Sequence, residues 1–123
     1  MISRDTNASR KAIDYSKNRC VVCGWNKTTR NGNPLVEGAH IKPFCNDNSA
    51  DVFCNIIALC PNHHTQFDRY LFYIDCETRK TVFFDTNDEY HDIDISNNIY
   101  YVEKKYLAYR QYLYNKENGD NHE

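Results

Sequence analysis

The sequence predicts a small α+β domain in which paired cysteine and histidine side chains tie short strands to a short helix. Three observations carry that expectation. Two Cys/His pairs, Cys20-x2-Cys23 and Cys60-x2-His63, have 36 residues between them. The run "LVEGAHI" at 35–41 has strand character and is stopped by Pro43, and Pro61 opens a helical segment after "VFCNIIALC". Beyond residue 70, two β-rich runs precede a stretch whose apolar residues recur at helical spacing.

The elements follow in order. Ala12, Ile13 and Tyr15 among polar residues suggest a short helix over 4–18. Cys20 to Gly24 reads as a tight cysteine-bearing turn, a knuckle. "TTRNGNP" at 28–34 and "CNDNSAD" at 45–51 are loops on either side of the 35–41 strand. A helix over 61–70 begins at Pro61, where a proline costs nothing because the first-turn N–H has no helical partner. "YLFYIDC" and "KTVFFD", separated by "ETR", form a hairpin. Tyr101, Val102, Tyr106, Leu107, Tyr109, Leu113 and Tyr114 mark an amphipathic helix from Tyr100 to about Lys116, its aromatic stripe read as core. The tail "ENGDNHE" is expected to fray.

The bulk numbers suit one domain over 1–123, with a core motif at 20–68 and the hairpin and helix at 70–117. A chain of this size buries roughly two-thirds of its unfolded surface. Its net charge is −2, but unevenly distributed. Residues 1–42 carry eight basic and three acidic side chains, and the remainder seven and fourteen. The basic third is a modest footprint for a polyanion, and equally an unevenly charged solvated surface. "MISRDTNASRK" has no apolar core of a secretory signal, and no run is long enough to span a membrane. A cytoplasmic chain without membrane association is therefore expected. Six cysteines in a reducing compartment point to metal or plain burial rather than disulfides.

Two tight turns, each aiming two donors at one point, supply the four ligands of tetrahedral zinc. Cys20, Cys23, Cys60 and His63 are the candidate structural zinc ligands, against packing cysteines as the competing reading. Cys45, Cys54 and Cys76 lack paired spacing, read as small buried hydrophobes, and are the rival ligands. His64 points roughly 100° round the helix from His63, on the face of Asp68, where the two make a half-site for a divalent ion. His63 shares its face with Phe67, which should anchor the helix. His40 ends the strand. An imidazole there suits a general base, although a strand-end histidine is often structural. Asn55 supplies an amide able to hold that imidazole or its loop.

In this order and spacing, Cys20-x2-Cys23, Ala39-His40-Ile41, Asn55 and Leu59-Cys60-x2-His63-His64-x2-Phe67-Asp68 resemble the HNH endonucleases. That is the ββα-metal or His-Me finger fold, in its zinc-bearing branch. The following hairpin and "KKYLAYRQYL" resemble a restriction- and defence-type subfamily. The resemblance implies His40 as general base, Asn55 as its orienting residue and His64 as ligand of a catalytic ion. It further implies DNA cleavage leaving 5′-phosphate and 3′-hydroxyl ends. Mg²⁺ or Mn²⁺ suits the site, and one imidazole also permits Ni²⁺ or Zn²⁺.

One departure stands out. Many HNH enzymes carry Asp or His directly before the base, where this chain has Ala39. Asp68 or Glu37 must fill the gap. Strand alternation places Glu37 on the face opposite His40, so Glu37 would need a twist or bulge, and Asp68 is preferred. Asp68 reads equally well as a cap or as an ion-pair partner of Arg69. Arg19, Lys27, Arg30 and Lys42 are candidate phosphate contacts. The alternatives are a non-catalytic zinc-stapled module binding nucleic acid or protein, and an HNH-type ribonuclease. A homodimer or a partner targeting subunit would compensate for the little room left to read a DNA target.

Overall fold

The computed structural model describes residues 6–43 and 52–119. Among the described residues, four short strands and three helices build an α+β core. Helix α1 spans Thr6–Tyr15 and strand β1 Glu37–His40. A 3-10 turn at Phe53–Asn55 leads into β2, Ile56–Leu59, and then α2, Pro61–Asp68. Strands β3, Phe72–Ile74, and β4, Thr81–Phe83, form the hairpin, and α3 spans Lys104–Glu117.

Strands β1 and β2 pair antiparallel in unbroken register, from Glu37 opposite Leu59 to His40 opposite Ile56. Every residue of β2 is buried. That follows from cover on both sides: α1 packs on β1 and β2, and α2 also contacts both strands. Ala8 and Ala12, one turn apart on α1, bury against Ile56. The knuckle joins the same sheet, since the Val21 N–H donates to the Ala58 carbonyl at 2.9 Å. Gly24 closes it in the left-handed region at φ 81°, where a side chain would be strained.

Gly38 permits the close approach of α1 to β1. A Cβ there would lie 2.8 Å from Ser9 Oγ, 3.0 Å from Ser9 Cβ and 3.1 Å from Ile56 Cγ2. Helix or strand must shift to accept it, so Gly38→Ala should destabilise the fold by about 1–3 kcal/mol. Chemical denaturation would read this as a lower midpoint at unchanged slope. An unchanged midpoint would mean that α1 does not pack as described.

Four expectations need correction. The first helix stops at Tyr15 rather than 18, because Lys17 and Asn18 turn left-handed and the Asn18 N–H caps the Ile13 carbonyl. Helix α2 ends at Asp68 rather than 70. Tyr70 adopts φ 58° and the Leu71 N–H closes back on the Gln66 carbonyl at 3.0 Å, a left-handed helix stop. Helix α3 starts at Lys104 rather than Tyr100. The Arg79 guanidinium donates to the Ile99 and Val102 carbonyls at 2.9 and 3.0 Å, taking acceptors that a longer helix would use. Its aromatic stripe is only partly core: Tyr106, Leu107 and Tyr114 are buried, whereas Tyr109 and Tyr112 are exposed.

Cys54 and Cys76 are half-buried rather than buried, and the Cys54 thiol faces Glu103 Oε2 at 3.6 Å. Cys45, the loop at 45–51 and the end of the tail lie outside the described residues. No helix among the described residues is long and apolar enough to cross a membrane.

Candidate functional site

The four knuckle donors converge. Cys20, Cys23, Cys60 and His63 place one donor atom each within 4.8 Å of all the others. Cys20 Sγ lies 3.8 Å and Cys60 Sγ 3.4 Å from His63 Nδ1, and Cys23 Sγ lies 3.9 Å from Cys60 Sγ. A zinc tetrahedron with ordinary bond lengths has S–S edges of about 3.8 Å and S–N edges of about 3.6 Å. The spacing and the donor chemistry therefore fit such an ion.

Electrostatics argue the same way. Burial opposes ionisation of Cys20, but its hydrogen bonds with His63 and nearby backbone hold the thiol down at about 6. Burial pushes Cys23 up to about 12, with the Cys20 and Cys60 sulfurs adding to the shift. Burial and Cys20 also raise Cys60. Three sulfurs so close hold one negative charge readily and resist more, until a cation sits among them. His63 is fixed for this role by the edges of Phe72, Phe83 and Tyr90 around its ring. Cys60 has a second task, since its sulfur caps α2 by accepting the His63 N–H at 3.3 Å.

The neighbouring histidine faces elsewhere. His63 is buried, while His64 lies part-exposed with a carboxylate at each ring nitrogen. Glu37 Oε1 lies 2.6 Å from His64 Nδ1, and Asp68 Oδ2 lies 3.4 Å from Nε2. Glu37 thus reaches His64 across the unbroken β1–β2 register, with no bulge. Of the twist or bulge expected for Glu37, the bulge is absent. The face it shares with Ala39 lies against α2, so the face opposite His40 is the one from which His64 can be reached. One ion cannot take both ring nitrogens. With an ion on one ring nitrogen, the carboxylate at the other would fix the ring's orientation and tautomer.

His40, His64 and Asp68 line one cleft of about 440 Å³, together with Gly38, Pro43, Tyr70 and Arg110. Asn55 stands behind it, fully buried. Its Oδ1 accepts the Lys42 N–H at 2.8 Å and its Nδ2 donates to the Lys42 carbonyl at 3.0 Å. Its own carbonyl accepts the Ile41 N–H at 2.9 Å. Side chain and backbone of Asn55 together therefore clamp the two residues that follow His40 and fix the strand end from which the imidazole projects.

The basic candidates are spread out. Arg19, Lys27 and Arg30 are exposed on the knuckle and its loop, outside the cleft lining. Lys42 is half-buried, its Nζ 5.1 Å from the Tyr109 ring centre. Sequence reasoning missed Arg110 and Tyr70. The signal for Arg110 was present, because it falls on the buried stripe of α3 with Tyr106, Leu107 and Tyr114. A charge on an apolar stripe asks for an explanation.

Residues 20–75 match the family model described as HNH endonuclease. No curated protein matches the chain by sequence. A solved structure titled "Modification dependent TagI restriction endonuclease" superposes with a TM-score of 0.73 at 26% identity. The match covers 89% of this chain and spans 38% of that one. That share of the chain exceeds the segment the family model matches.

Proposed function

We propose, from the premise that this chain belongs to the HNH endonuclease family, that it hydrolyses phosphodiester bonds in DNA at the cleft between β1 and α2. The carrying observation is that His40, His64 and Asp68 line one cleft inside the family-matched segment. In this reading His40 takes a proton from the attacking water. Asn55 keeps the imidazole in place through its clamp on Lys42. His64 Nε2 and Asp68 hold a divalent ion, Mg²⁺ or Mn²⁺, on the side that lines the cleft, and Glu37 orients the ring from Nδ1. When bound, the ion offsets charge on the phosphorane and the departing 3′ oxygen. Zinc at Cys20, Cys23, Cys60 and His63 is structural. Arg19, Lys27, Arg30 and Lys42 contribute salt-sensitive phosphate contacts around the site.

The test is plasmid nicking by the full chain, with Mg²⁺ or Mn²⁺ and without, on modified and unmodified DNA. The modified plasmid is included because modification dependence stands in the structural neighbour's title. Metal-dependent nicks that a DNA ligase seals without prior phosphorylation are expected. No cleavage of either plasmid, with cleavage of RNA instead, would favour the ribonuclease reading. The two carboxylates are separated by titrating the metal in the same assay. Asp68→Asn should abolish saturation, whereas Glu37→Gln should weaken apparent metal affinity by about 10–100-fold. The reverse order would place the ion on the Nδ1 side, with Glu37.

A further inference from the structure

Arg110 is the buried charge that the proposal above does not use. It comes from α3, outside the family-matched segment 20–75, yet it lines the same cleft as His40 and His64. The residue is only 3% exposed. Its guanidinium lies 4.0 Å over the Phe67 ring and 4.7 Å over the Tyr70 ring. Its Nε has no hydrogen-bond partner. Among the described residues no carboxylate pairs with it within 4.0 Å.

A buried guanidinium normally faces a carboxylate, because an unpaired charge away from water is costly. Here burial draws its proton affinity below the ordinary arginine value, and Tyr70 and Asp68 only partly counter this. Arginine nevertheless stays charged at any working pH. The two rings hold the fork flat, so little rotamer freedom remains to be lost on binding. A fixed, charged, planar donor that lines an open cleft suits an oxyanion that arrives from outside.

We infer that Arg110 is a substrate-binding residue that grips a non-bridging oxygen of the phosphodiester in this cleft, supplied from outside the family-matched segment. The inference rests on the nuclease reading for the identity of the anion. As attack proceeds the phosphate gains negative charge, so the same contact strengthens toward the transition state. Losing one such donor should cost roughly a hundredfold in cleavage rate.

The first readout needs no catalysis. Dimethyl phosphate is titrated into the wild-type protein without added Mg²⁺ or Mn²⁺, and the Arg110 Nε–H resonance is followed by NMR. The second uses Arg110→Lys and Arg110→Met in the plasmid assay, each with a thermal melt. We expect the Nε–H resonance to shift on titration and both variants to cleave roughly a hundredfold more slowly. Arg110→Met should melt no lower than wild type, because it replaces an unpaired buried charge with apolar volume. A resonance that stays still, with Arg110→Lys cleaving at the wild-type rate, would overturn the inference and leave the nuclease reading intact. A resonance that shifts while wild type cuts no nucleic acid would support the arginine as a phosphate site and defeat the nuclease reading instead.

Discussion

His40→Ala is expected to lower DNA cleavage by about 10²–10⁴-fold with little change in folding. The size follows from what a positioned general base supplies. Without it, bulk water must accept the proton at the moment of attack. Folding should survive because the His40 side chain is only half-buried and lies at the edge of the cleft. The strand end is held independently: Asn55 clamps Lys42, and the Ile41 N–H bonds the Asn55 carbonyl at 2.9 Å. The variant therefore removes an imidazole and leaves its mounting in place. The measurement is a time course of plasmid nicking under saturating metal, beside a thermal melt. Added imidazole should restore part of the lost rate, since a diffusible base can enter the vacated volume. Equal cleavage by wild type and variant would remove His40 from the mechanism. A collapsed melt would reassign it to the fold.

Cys60→Ser should have the largest effect on stability. Serine is a good helix N-cap, so the variant keeps an acceptor for the His63 N–H while removing the sulfur. What is lost is one donor of the proposed zinc site. Structural zinc binding contributes apparent free energies of about 10–16 kcal/mol in zinc-finger peptides. A domain of this size has a net stability of about 5–15 kcal/mol. Most of the stability can therefore reside in the cluster. The consequences reach the core directly, because Val21 and Val22 of the knuckle are buried beside the ligands and the Val21 N–H bonds to β2. Cys60→Ser should purify with sub-stoichiometric zinc and melt far below wild type. Wild type stripped with a strong chelator should lose its near-ultraviolet circular dichroism in parallel. Full zinc content in Cys60→Ser, with an unshifted melt, would mean the cluster is not a zinc site.

Legibility followed the range of the interaction. The two Cys/His pairs were readable because each pair's geometry is local. A turn with two donors two residues apart aims both at one point, whatever surrounds it. The different directions of His63 and His64 were readable too, because a helix rotates neighbours by a constant angle. His63 accordingly lies in the buried cluster and His64 faces carboxylates. The β3–β4 hairpin and the existence of α3 came from periodicity in the same way.

Element ends were less legible. The start of α3 depends on a partner elsewhere in the chain, the Arg79 guanidinium on the carbonyls of Ile99 and Val102. Glu37 and Arg110 show the same limit within the candidate site. Glu37 meets His64 across 27 residues of chain, and strand alternation alone argued against it. Which face of β1 lies against α2 was set by packing, with α1 already covering part of the β1–β2 pair. Arg110 comes from a helix some 40 residues beyond Asp68, and nothing local ties it to the cleft.

The sequence by itself thus determined the Cys/His cluster, the two-faced short helix and the resemblance to a family. All of these rest on spacings that the backbone converts into directions over a few residues. Only the tertiary structure decided which carboxylates flank His64, what Asn55 clamps and which cation joins the cleft. Those depend on how separate elements dock, and docking is a sum of many burial terms that no single local spacing records.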